Sequence, residues 1–261
     1  MSEFRKIVEC ELAKHGYSLE EDAYKDRKDL MLALETYDKI INLCENEINE
    51  WYKRDKINVG AKQIENINYF ELKDLEPPLI VKFIVDIGAQ DPRGEFDVEN
   101  NIILMYLDAI YSDLYEIVEQ GDEYPDAWMD SQEYLYTIKS KLCQNTFVHE
   151  FQHYLDSSRG NLVNQRKRIA NRKRNKNIDY WNDPAETNAF YMQRLMNAAN
   201  TLSKKYNKAL RDMTSDERLE FIKNQWKNDR TFMLYYNKLN DKNKKHLLSR
   251  LYRYFSTDFW K

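Results

Sequence analysis

Thr146-Phe147-Val148-His149-Glu150-Phe151-Gln152-His153-Tyr154-Leu155 is the stretch that decides how the rest of the chain is read. Its two histidines stand four residues apart, and on a helix that spacing puts both imidazoles on one face, about 6 Å apart along the axis. Two nitrogens so placed can reach a single metal ion. Only four histidines occur among 261 residues, so a shuffled chain of this composition would show His-Glu-x-x-His in roughly one case in a hundred or fewer. The flanks are uncharged, as are Phe151 and Gln152 inside the motif. Such a helix can be packed into a protein and still present one polar edge. The competing account is a helix on which two histidines happen to share a face. Zinc is the expected cofactor, one ion per chain, and hydrolysis the expected chemistry.

Composition frames this expectation. A hydrophobic content of 42% with 13% aromatics favours a folded chain over a disordered one, and 261 residues suffice for one large domain or two small ones. A net charge of −4 makes no global electrostatic case for nucleic acid or an anionic membrane. Cys10, Cys44 and Cys143 are widely spaced and form no Cys-x-x-Cys pair, which suits a reduced chain. The first residues lack an apolar signal core and no run approaches ~20 apolar residues, so a cytoplasmic protein without membrane spans is expected.

Six glycines and five prolines leave room for long, mostly helical elements. From Leu19 to about Arg54, Leu30, Leu34, Tyr37, Ile41, Leu43, Ile48 and Trp51 recur at helical spacing. After Pro77-Pro78, the β-branched run from Leu79 to Val85 reads as a buried strand. The turn Asp91-Pro92-Arg93-Gly94 then leads into Glu95 to Val98 and Ile102 to Tyr106, which read as further, antiparallel strands. Ser131 is expected to begin a long helix that carries the histidine motif in its last turns and stops after Ser157-Ser158-Arg159-Gly160. Beyond Tyr206, polar joints such as Ser215-Asp216-Glu217-Arg218 precede apolar helical patterns.

A catalytic zinc usually has three protein ligands and an open position, so two histidines need a partner. The metzincin spacing is excluded, because Asp156 and Arg159 stand where that pattern requires Gly and His. His15 lies in a polar N-terminal segment and His246 in an exposed helix start, which makes both poor donors. A glutamate on a second helix is the other common solution. Asn182-Asp183-Pro184-Ala185-Glu186 supplies one, with Asp183 suited to an N-cap and Pro184 to the first helical position, so that Glu186 falls in the first turn. Asp183-x-x-Glu186 is also an acidic variant of a capping box, in which Glu186 would only close the helix start.

His149-Glu150-x-x-His153-x-x-Asp156, followed by Asn182-Asp183-x-Ala185-Glu186-x-x-Ala189-Phe190, resembles the gluzincin metallopeptidases, especially the lethal-factor-like branch and related small peptidases of bacteria and phages. The resemblance extends from Phe147 to Gln193 and implies His149 and His153 as zinc ligands, Glu186 as the third ligand and Glu150 as catalytic acid/base. The fold expected with it is α+β and predominantly helical: a zincin-like, small, mostly antiparallel sheet packed on the active-site helix, with flanking helical segments. In residues, this means a helical N-terminal segment over 1–56, a catalytic domain over 57–200 and a C-terminal helical subdomain over 201–261.

The expected substrate is a protein or peptide. Glu150 would take a proton from the attacking water and hand it to the leaving amine, while Tyr180 or Tyr191 could offer a phenol to the oxyanion. Asp156 could bond a histidine's second nitrogen, or could be a plain polar helix end. Asn101 to Tyr106 is the candidate edge strand for an extended substrate. Two other accounts are open: a zincin-like binding or structural protein without turnover, and a nucleic-acid-associated factor that uses the basic tract Arg166-Lys167-Arg168 to Arg172-Lys173-Arg174.

Overall fold

The computed structural model describes residues 19–54, 64–86, 93–107, 109–110, 143–161, 180–206, 212–228 and 230–256. They are mostly helical, with one small four-stranded mixed sheet, the α+β class read from the sequence. The elements are α1 (Leu19–Arg54), β1 (Ile64–Leu72), β2 (Leu79–Asp86), β3 (Gly94–Asp97), β4 (Ile102–Tyr106), α2 (Gln144–Asp156), α3 (Pro184–Tyr206), α4 (Ser215–Asn228), α5 (Arg230–Lys238) and α6 (Asp241–Ser256). A π-helical turn, Ser157–Asn161, follows α2, and a 3-10 turn, Tyr180–Asn182, precedes α3. The chain divides into two compact units, Met1–Met31 with Asn177–Lys261, and Leu32–Lys176. The basic tract and the stretch from Ser131 to Leu142 lie outside the described residues.

In the unit 32–176 the sheet runs in the order β1-β2-β4-β3. The expected antiparallel pairing holds for β3 with β4, whereas β2 and β4 are parallel; β1, a strand not expected from the sequence, pairs antiparallel with β2. Asn101 to Tyr106 is therefore not an edge: β4 has β2 on one side and β3 on the other. The hairpin from β3 to β4 is closed by Asp97, whose Oδ1 accepts from the backbone N–H groups of Glu99 at 2.9 Å and Asn100 at 3.3 Å. Asn101 then takes a left-handed φ of 54°, a conformation asparagine tolerates better than most residues.

One face of the sheet is apolar. Val81, Phe83, Ile103 and Met105 are fully buried, and the register sets Val81 opposite Ile103 and Phe83 opposite Met105. Side chains of paired residues share a face, so Gly94, paired with Met105, and Phe96, paired with Ile103, lie on it too. Helix α2 packs here against β3 and β4. The Phe96 ring meets Tyr154 edge-on at 6.1 Å, and the Tyr154 hydroxyl donates to the Pro77 carbonyl at 2.7 Å. On α2 itself Phe147 stacks on Phe151 at 5.4 Å, and Tyr37 of α1 meets Phe147 at 5.5 Å.

The helical unit is held by buried polar ties. Arg250 of α6 donates to Asp26 of α1 at 2.7 Å and to Asn188 of α3 at 2.6 Å, and its guanidinium lies over the Tyr191 ring, 3.7 Å from the centroid. The Tyr191 hydroxyl in turn donates to the other Asp26 oxygen at 2.7 Å. Arg218 of α4 is almost fully buried, and it donates to the Phe255 carbonyl at 2.7 Å and to the Met213 carbonyl. The start of α4 is a capping box with Thr214 as its cap. Thr214 Oγ1 accepts from the Glu217 N–H at 3.2 Å, and Glu217 accepts from the Thr214 N–H at 2.7 Å.

Two outcomes follow from this unit. Arg250→Ala leaves the Asp26 carboxylate, 9% exposed, without its cation, and urea denaturation should report a loss of about 3 kcal/mol; a loss near zero would mean that the pair contributes nothing. Burial above all holds the phenols of Tyr191, Tyr235 and Tyr254 above their ordinary value, while the unfolded chain ionises near pH 10. Their contribution is therefore complete below about pH 10 and declines as pH rises further, because only the unfolded state gives up those protons. The urea midpoint should fall above that pH, and a level midpoint there would contradict the assignment.

Candidate metal centre

Helix α2 is buried along nearly its whole length, polar positions included: Thr146, His149, Glu150 and Gln152 are all buried. The residue ahead of it, Cys143, already has helical dihedrals and no side-chain cap. At the other end the Ser157 N–H reaches the carbonyls of His153 and Tyr154, and the helix passes into the π turn Ser157–Asn161, which spans the stop expected after Gly160. The regular helix between sets the two imidazoles one turn apart, with ring centroids 5.0 Å from each other at a steep angle. Glu150, 8% exposed, sits on an adjoining face of the same turn.

Glu186 stands at the third position of α3. Asp183 Oδ1 accepts from the Ala185 N–H at 2.9 Å, and the Asp183 carbonyl accepts the first helical bond, from the Thr187 N–H at 2.8 Å. Asp183 is thus the N-cap, and Pro184 the first helical residue. In a capping box the Asp183 N–H would go to Glu186, but here it is donated to the Tyr180 carbonyl at 3.3 Å. A carboxylate in this first turn is favoured by the helix dipole.

His149, His153 and Glu186 each offer one ligand atom, and those atoms all lie within 4.8 Å of one another. Ligand atoms at about 2.0–2.1 Å from one zinc ion are at most about 4.2 Å apart, so a small side-chain adjustment closes the set. His149 and Glu186 are buried and His153 is half-buried. Two neutral imidazoles and a carboxylate fit a divalent cation of borderline softness.

The other expected site residues are placed differently. Asp156 accepts a hydrogen bond from Gln152 Nε2 at 2.9 Å, an i, i+4 pair on the polar edge of α2. Tyr180 is 44% exposed, in the 3-10 turn just ahead of Glu186. Tyr191 is buried and its proton is held by Asp26, which leaves the hydroxyl committed inside the helical unit. His246 is exposed on α6, and His15 lies outside the described residues.

Gly94 escaped notice as a site residue because Asp91-Pro92-Arg93-Gly94 reads as a turn. It opens β3 and lies directly under the motif helix: a Cβ on it would be 2.5 Å from Thr146 Cγ2 and 3.0 Å from Glu150 Cγ. Only a residue without a side chain lets the strand approach Glu150 so closely.

Comparison with protein-family models, with curated proteins and with solved structures finds no match to this chain.

Gly94→Ala should destabilise the fold by about 1–3 kcal/mol through overpacking. Thr146→Ser removes the methyl nearest the new Cβ, so the double variant should recover part of that loss in a double-mutant cycle. A neutral Gly94→Ala would mean that the strand and helix are farther apart than described.

Proposed function

We propose that this chain is a zinc-dependent metallopeptidase of the gluzincin type, with His149, His153 and Glu186 as the metal ligands and Glu150 as general acid/base. The observation that carries the reading is the convergence of three donors of the right chemistry to within 4.8 Å, next in sequence to a buried carboxylate that the metal does not require. Zinc in this set lowers the pKa of a water to about 7 and polarises a carbonyl. Glu150 accepts the proton that water loses as it attacks the amide carbon, and returns it to the nitrogen as the C–N bond breaks. Burial keeps competing water from that carboxylate.

Among the described residues strand β3 is one of the two edges of the sheet, and it packs against α2. An extended substrate pairing along it would pass close to Glu150, the arrangement expected of β-strand addition. The edge expected at Asn101–Tyr106 lies instead at Gly94–Asp97, which makes β3 the strand we propose for this role. Tyr180, whose ring is exposed, is the tyrosine we propose for the oxyanion.

Metal analysis should show about one zinc per chain. Glu150→Gln should keep that zinc and lose about 10²–10⁴-fold in the cleavage rate of a peptide or protein library, and Glu186→Ala should weaken zinc binding. Undiminished cleavage by Glu150→Gln sinks the mechanism, and unchanged zinc affinity in Glu186→Ala removes the third ligand.

A further inference from the structure

Arg250 reaches α3 from α6 through a closed set of short contacts. Its Nη1 donates to Asn188 Oδ1 at 2.6 Å, its Nη2 donates to Asp26 Oδ1 at 2.7 Å, and its guanidinium carbon lies 3.7 Å from the centroid of the Tyr191 ring. The Tyr191 hydroxyl closes the set by donating to Asp26 Oδ2 at 2.7 Å. Asp26 and Tyr191 are buried, and the Arg250 side chain is 17% exposed. Two of these four residues, Asn188 and Tyr191, belong to α3, and their spacing of three puts them on one face of it.

Glu186 precedes Asn188 by two residues, about 200° round the same helix. The guanidinium thus grips the side of α3 turned away from the carboxylate. A side-chain end stands about 5–6 Å from a helix axis, so a rotation of about 10° carries the Glu186 carboxylate roughly 1 Å. Metal–ligand distances are held to within about 0.2 Å, which demands that the rotation be fixed to a few degrees. A planar fork bonded to two oxygens and stacked on a ring supplies that precision.

We infer that Arg250 is a positioning residue for the third metal ligand: acting through Asn188 and Tyr191, its guanidinium fixes the rotation of α3 and with it the place of the Glu186 carboxylate. The inference rests on Glu186 being a ligand and is independent of peptide hydrolysis. Arg218 provides the contrast within the same unit. It is more deeply buried, and it holds the carbonyls of Met213 and Phe255, both outside α3.

Zinc affinity by chelator competition, and the urea stability of the zinc-free chain, are measured on the same variants. Asn188→Ala removes one acceptor of the guanidinium, and zinc affinity should fall about tenfold. Arg250→Ala should lose at least as much, and the double variant no more than Arg250→Ala, because Asn188 acts through the same group. Arg218→Lys should lower the urea midpoint and leave zinc affinity near the wild-type value. Asn188→Ala, the milder change, decides the matter if Arg250→Ala does not fold. If Asn188→Ala binds zinc like wild type while Glu186→Ala does not, the positioning role is overturned and the ligand assignment stands. If Glu186→Ala also binds like wild type, the ligand assignment itself falls. If Arg218→Lys loses as much zinc affinity as Asn188→Ala, the effect is one of general stability, and the inference is wrong.

Discussion

Burying polar side chains on an otherwise apolar helix is the constraint on which the rest depends. Helix α2 takes His149, Glu150 and Gln152 out of water alongside Phe147, Phe151 and Leu155. An ionisable group moved to such surroundings without partners is expensive, so the helix can lie against the sheet only where its polar edge is answered. Gln152 is answered locally by Asp156. The imidazole edge belongs to a group that could hold a metal ion, and the third member, Glu186, comes from elsewhere in the chain.

That placement uses other physics. Around α2, apolar contact dominates: the sheet offers Val81, Phe83, Ile103 and Met105, and the helix answers with aromatic rings. Around α3, charge and hydrogen bonds dominate, with Arg250 tying Asp26 to Asn188 and Arg218 holding backbone carbonyls. Apolar packing tolerates small shifts in a side chain, whereas a guanidinium between two fixed oxygens does not. Glu186, in the first turn of α3, is thus carried on a helix whose rotation is defined by directional bonds. The Asp183 cap defines where that helix begins.

Much of this was legible in the chain itself. The Leu19–Arg54 helix, strands β2 and β4, the motif helix and the Asp183–Pro184 helix start all have strong local signals: periodic apolar residues, β-branched runs, or a cap followed by proline. Strand β1 was missed because Ile64-Glu65-Asn66-Ile67-Asn68-Tyr69-Phe70-Glu71-Leu72 mixes asparagine and glutamate with its apolar residues. An edge strand with one neighbour, interrupted by a register shift between Asn66 and Asn68, can carry such residues. The parallel pairing of β2 with β4 was also illegible, since nothing local distinguishes it. Among 19 tyrosines, Tyr180, Tyr191 and Tyr235 look alike in one dimension. Only tertiary surroundings separate an exposed ring, a phenol bound to Asp26 and a buried hydroxyl.

Gly94 has a further consequence for how an extended ligand would be read. The glycine marks a zero point beneath Glu150, and a strand laid along β3 advances in steps of about 3.4 Å with side chains alternating between faces. Opposite Gly94 and Phe96 its side chains would point toward α2, and those between would point away. Recognition would then have a parity: every second residue is sensed, and a slip of one position exchanges the sensed set for the ignored one.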